Sequence, residues 1–143
     1  MKRWIAGLVV VAALAVAAVF SMRMMAQPPE ELDLAREKPT ASQLYRVSIQ
    51  PELDPPAIGT LHNWIVTVLL PDGEPVADAK ISVDGGMPQH GHGLPTAPQV
   101  TKHLGEGRYL VEGVRFNMGG WWELKFTIDA SAGSDNVTFN LTF

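Results

Sequence analysis

The sequence predicts an all-β fold, an antiparallel β-sandwich preceded by a single N-terminal transmembrane or signal helix. Three observations predict it. Short runs of alternating or β-branched residues recur from Leu44 to Phe143, each closed by a Gly, Pro, Asn or Asp signal. No convincing helical periodicity lies among those runs. The uncharged stretch Trp4–Met22, rich in Val, Ala and Leu, would cover about 28 Å as a helix, close to the thickness of a bilayer's hydrocarbon layer. A chain of 143 residues has room for one domain.

The N-terminal element comes first. Lys2 and Arg3 precede the apolar stretch and Arg23 follows it. Its length favours a membrane anchor over a cleaved signal peptide, although Ala26 and the Val19/Ser21 pair are soft cleavage positions. Positive charge before the stretch and the acidic cluster Glu30, Glu31 and Asp33 after it place the N-terminus inside and the domain outside, in the periplasm. Residues 1–26 are therefore read as anchor or signal segment, 27–43 as linker and 44–143 as the sandwich. Within the linker Pro28-Pro29 opens the segment, and Glu30–Lys38 is expected to form a short helix.

The strands follow in order. Leu44–Ile49 alternates and is broken at Pro51. Asn63–Leu70 is β-branched and apolar and stops at Pro71-Asp72-Gly73. Ala79–Val83 stops at Asp84-Gly85-Gly86, which reads as a turn. Val100–Leu104 and Arg108–Val114 flank Gly105-Glu106-Gly107, a three-residue hairpin connection. Trp122–Ile128 and Val137–Phe143 are the cleanest alternations in the chain. Seven strands at this spacing indicate a sandwich of immunoglobulin-like type. Parity gives the core: Trp64, Val66 and Val68 on one strand, and Tyr109, Val111 and Phe116 on and after another. Leu124, Phe126 and Ile128 (or else Trp122 with the polar positions) come next, with Phe139 and Leu141 completing it.

Composition excludes several functions. There is no cysteine, so an exported domain must hold itself together by its core, and thiolate metal and redox sites are ruled out. The formal net charge is −4, and leaving out Lys2, Arg3 and Arg23 takes it to −7, which argues against nucleic acid as a partner. No Ser-His-Asp set, paired-acid arrangement or phosphate-binding glycine loop is readable, so the chain is not read as an enzyme.

The chemistry lies in Met87-Pro-Gln-His90-Gly-His92-Gly93, which places a thioether and two imidazoles within six residues in a chain of four histidines. Imidazole is the commonest protein metal ligand, and thioether sulfur adds a preference for Cu(I). In extended backbone His90 and His92 project to the same side. The alternative is a glycine-rich surface loop, because a lone H-x-H lacks further ligands. Met118, set among Asn117, Gly119 and Gly120, falls in another turn and could converge on the same ion. His62 reads as a solvated residue at the start of a strand, and His103 as an exposed edge residue.

Four motifs in order, Gly73–Ala79, Gly86–Gly93, Gly107-Arg-Tyr109 and Phe116–Leu124, are similar to those of the YtkA-like and FixH-like exported domains. The resemblance covers roughly Ser48 to Phe143. It implies a membrane segment followed by an extracytoplasmic β-domain. The FixH-like members are associated with copper supply to haem-copper oxidases and with the assembly of those enzymes. Carried over by position, the matching residues are Met87, His90, His92 and Met118. The expected function is a membrane-anchored extracytoplasmic copper-binding protein that supplies Cu(I) during assembly of a respiratory oxidase. Its expected partners are the metal ion, the membrane and a membrane protein complex. Zinc is the variant ion, with Asp84 as an oxygen ligand. The alternative function is a non-metal interaction domain that docks on a membrane or envelope complex with the glycine-rich loop as its contact surface and Trp121 and Trp122 as anchors.

Overall fold

The computed structural model describes residues 31–143, and the apolar N-terminal stretch lies outside them. Nine antiparallel strands form two layers. They are β1 (Glu37–Pro39), β2 (Arg46–Pro51), β3 (Leu61–Leu69), β4 (Lys80–Met87), β5 (His92–Gly93), β6 (Gln99–Gly105), β7 (Arg108–Arg115), β8 (Trp121–Ala130) and β9 (Gly133–Thr142). One sheet has the order β1-β2-β3-β7-β6 and the other β5-β4-β8-β9. No helix occurs among the described residues, and so none there could cross a membrane. The seven expected strands are present, and two short ones, β1 and β5, are added.

The core is the alternation of these strands made physical. Trp64, Val66 and Val68 are fully buried, as are Trp122, Leu124 and Ile128, with Phe126 nearly so. The choice between Trp122 and its neighbours dissolves, because all four share a parity and all face the opposite sheet. Tyr109, Val111, Phe116, Phe139 and Leu141 complete the core as expected.

Three expectations are corrected. Glu31–Lys38 is not a helix: Glu37–Pro39 pairs with Arg46–Ser48, so the sheet begins before residue 44. Nine residues ending at a proline cannot sustain an isolated helix against that pairing. Asp84-Gly85-Gly86 is not a turn, because β4 runs through it to Met87. Glycine is required there by close approach of neighbouring backbone: a Cβ at Gly85 would strike the Glu123 carbonyl oxygen, and one at Gly86 the His92 carbonyl oxygen. Finally, the β6–β7 connection has two residues, since Gly105 pairs with Arg108. Glu106 and Gly107 both have positive φ, 53° and 69°, the signature of a type I′ turn.

Asp135 fastens the two sheets together at one end. It is buried at the start of β9 and accepts backbone N–H bonds from Ser42 (3.0 Å), Leu44 (3.3 Å) and Asn136 (2.8 Å). Burial pushes its carboxyl up, but the Thr40 hydroxyl and the Asn136, Ser42 and Leu44 amides outweigh this and hold it at about 2. That value lies below the ordinary aspartate value of about 3.9, so the ionised form stabilises the native state above pH 4 or so. The contribution is lost as pH falls from about 4 to about 2. Asp135→Ala should cost roughly 2–3 kcal/mol at neutral pH, because it strands those amides. Asp135→Asn should flatten stability against pH over that window. Urea unfolding between pH 2 and 7 reads both.

Candidate metal site at one end of the sandwich

The backbone of Met87–Gly93 is a tight hairpin, not a free loop. Met87 pairs with His92 and Gly86 with Gly93, leaving Pro88-Gln89-His90-Gly91 as the turn. The His90 and Gly91 amides both donate to the Met87 carbonyl, at 3.1 and 2.9 Å. Gly91 has φ of 65°, which suits glycine at the end of such a turn. His90 therefore sits on the turn and His92 on a strand, and the shared side expected of extended backbone does not arise. Their rings nonetheless lie together, with centroids 5.9 Å apart and planes at 23°. Two imidazoles on one ion have centroids within about 6.5 Å, given metal–nitrogen bonds of about 2.0–2.1 Å, so this spacing allows both to reach a shared metal.

Met87 and His92 are directly opposed across the hairpin, and opposed side chains project to one face of a sheet. Here it is the core face. Met87 is buried, with 1% exposure, and its methyl group lies where a Cβ on Gly120 would have to go. His92 is exposed, its ring edge-on to Trp122 at 5.7 Å. Its Nδ1 lies 3.0 Å from the Gly93 carbonyl oxygen. A carbonyl can only accept, so the bond requires Nδ1–H, and neutral His92 then carries its lone pair on Nε2. A second hydrogen bond that fixes the tautomer is the usual partner of a metal-binding histidine.

Met118 joins the same end through Trp122, whose indole N–H donates to the Met118 carbonyl at 3.1 Å. Met118 is 40% exposed, as expected of a methionine outside the core. Trp122 thus bridges the His92 ring on one side and the Met118 turn on the other, a role that parity alone did not reveal. A cavity of about 250 Å³ opens beside the hairpin, lined by Met87, His92, Glu123 and Lys125 among others. Glu123 and Lys125 form an ion pair of 2.9 Å along its wall.

The other candidates lie elsewhere. Asp84 is on the opposite face of β4 from Met87, and its carboxylate accepts the Gly85 amide at 2.7 Å. Among the described residues no three His, Asp or Glu side chains are grouped to hold a metal ion, so any cluster here depends on the thioethers. His103 is exposed on edge strand β6 as expected, stacked on Tyr109 at 4.8 Å. His62 is not solvated: it is the second residue of β3, 7% exposed, and packs on Phe116 at 5.9 Å. Its Nε2 has no hydrogen-bond partner. The strand begins two residues earlier than the β-branched run suggested, and His62 turns inward with Trp64. Trp121 and Trp122 are both buried, so neither is available as an exposed interface anchor. The Trp121 indole donates to Asn140 instead, at 3.0 Å.

The described residues form a two-layer antiparallel β-sandwich that carries the Met87–His92 hairpin and the Met118 turn at one end. The chain belongs to the YtkA-like family, whose model matches residues 39–127 and so includes Met87, His90, His92 and Met118. No curated protein matches the sequence. In fold the chain is similar to the crystal structure of a DUF4426 family protein from Pseudomonas aeruginosa. The TM-score is 0.54 at 12% identity, over 76% of this chain and 94% of that one.

Proposed function

We propose that this protein is a membrane-anchored, extracytoplasmic Cu(I)-binding domain of the immunoglobulin-like sandwich type. Its ligands are His90, His92, Met87 and Met118. The observation that carries the reading is the hairpin pair: Met87 opposes His92 across β4 and β5, with the His90 ring against that of His92. Thioether sulfur and imidazole nitrogen suit a soft monovalent copper ion, and a site without thiolate releases its metal more readily than one with it. Holding the ion and handing it on are therefore both within its chemistry. The FixH-like motif pattern supports supply to a respiratory oxidase as the destination. Zinc is disfavoured as the resident ion because no carboxylate joins the histidines.

Anaerobic titration of the full chain against a chromophoric Cu(I) chelator tests the reading. One equivalent of copper should transfer to the protein, and Met118→Leu should weaken binding at nearly unchanged stability, since it keeps volume and loses sulfur. No transfer from the chelator, or equal binding by the Met118 variant, would count against the assigned ligand set.

A further inference from the structure

The five large hydrophobic side chains exposed among the described residues are Leu34, Leu53, Ile58, Leu61 and Met118. The topology puts all five at one end of the sandwich. Leu61 is the first residue of β3 and pairs with Arg115 at the close of β7. Leu53 lies two residues beyond the end of β2, and the Gly59 amide beside Ile58 donates to the Phe116 carbonyl at 2.7 Å. Met118 lies in the connection from β7 to β8. Leu34 lines a small cleft with Leu141, Thr142 and Phe143 at the end of β9. The opposite end is of another character, with exposed Asp72, Glu74, Asp78, Glu106 and Asp129, and Arg46, Lys80 and Arg108 among them, on or beside its turns.

The chain enters the described domain by the apolar end. The Asp33 carbonyl accepts a bond from the Asn140 side chain at 3.0 Å, and Lys38 reaches the Asp33 carboxylate at 2.8 Å. Between Met22 and Glu31 stand eight residues, which span at most about 29 Å when fully extended. We propose that this apolar end is a docking surface for the lipid bilayer that Trp4–Met22 enters, and that it seats the domain with the His90/His92 hairpin close to the membrane surface. The proposal rests on the reading of Trp4–Met22 as a membrane segment. Three arguments choose lipid as the occupant. The tether holds this end within reach of the interface. Single exposed apolar residues are ordinary, but all of those present sharing one pole is not. The far pole bears exposed charges of both signs and, among the described residues, no exposed large hydrophobic side chain, so it offers a bilayer nothing to seat. Glu52 and Asp54 flank Leu53, so the seat is the hydrated headgroup layer and not the hydrocarbon. Copper would then be received or delivered at the membrane face.

The absence of cysteine makes the test direct, since a single introduced cysteine carries a nitroxide label without competition. Full-length chains bearing Leu61→Cys, Ile58→Cys or Asp72→Cys are reconstituted in vesicles of phosphatidylcholine with phosphatidylglycerol, and flotation is measured first. Labels at positions 61 and 58 should be several-fold less accessible to a water-soluble nickel chelate than the label at 72, and more accessible to oxygen. Equal nickel access at all three positions, in chains that float, overturns the docking surface and leaves the anchor intact. Chains that do not float overturn both. Protection at 61 and 58 that appears only on adding a membrane protein overturns lipid as the occupant.

Discussion

Trp122→Ala should destabilise the domain by about 3–5 kcal/mol, the usual cost of truncating a buried aromatic, and abolish copper binding in whatever fraction remains folded. The indole is fully buried. It packs against Phe116 at 5.3 Å, stands edge-on to the His92 ring and bonds to the Met118 carbonyl. Removing it opens a cavity between the sheets and cuts the link between the hairpin and the Met118 turn. A loss of this size is a large part of the roughly 5–15 kcal/mol that holds a domain together. Trp122→Phe separates the two effects. It keeps most of the packing but leaves the Met118 carbonyl without its donor, so it should cost less stability while still loosening the Met118 turn. Urea unfolding of the three proteins gives the comparison. A Trp122→Ala loss below about 1 kcal/mol would show that the site end is not built on this ring.

The fold was legible in this sequence because period-two alternation survives translation into burial almost residue by residue. Trp64, Val66 and Val68, and then Leu124, Phe126 and Ile128, needed nothing beyond parity. The misreadings have local causes. Glycine at positions 85 and 86 marks crowding by Glu123 and His92 backbone, whereas the same residue at 105 marks a positive φ in open space. A sequence shows the residue but not which reason applies. His62 reads as solvated because a polar side chain at the head of a β-branched run gives no sign that the strand has already begun.

The candidate site was legible as a set of residue types and not as an arrangement. That Met87 is both core and opposed to His92 follows from hairpin register, which depends on β4 extending through the glycines. Trp122 as the shared platform follows from β8 and β5 flanking β4 in one sheet while the β7–β8 connection brings the Met118 carbonyl to the indole, a long-range property that spacing does not encode. With β4 running through Gly85-Gly86, the four-residue turn at Pro88–Gly91 and the Met87/His92 pair follow from the register.

The most direct test of the Cu(I) assignment is the double variant His90→Ala/His92→Ala, measured beside the wild type by the same chelator competition and by urea unfolding. Both rings are exposed, and substitutions at such positions usually stay within about 0.5 kcal/mol, so folding should be nearly unchanged. Copper binding should be lost, because the thioethers alone leave the ion without its nitrogen donors. A double variant that folds normally and takes up one equivalent of Cu(I) as tightly as the wild type would contradict the assignment.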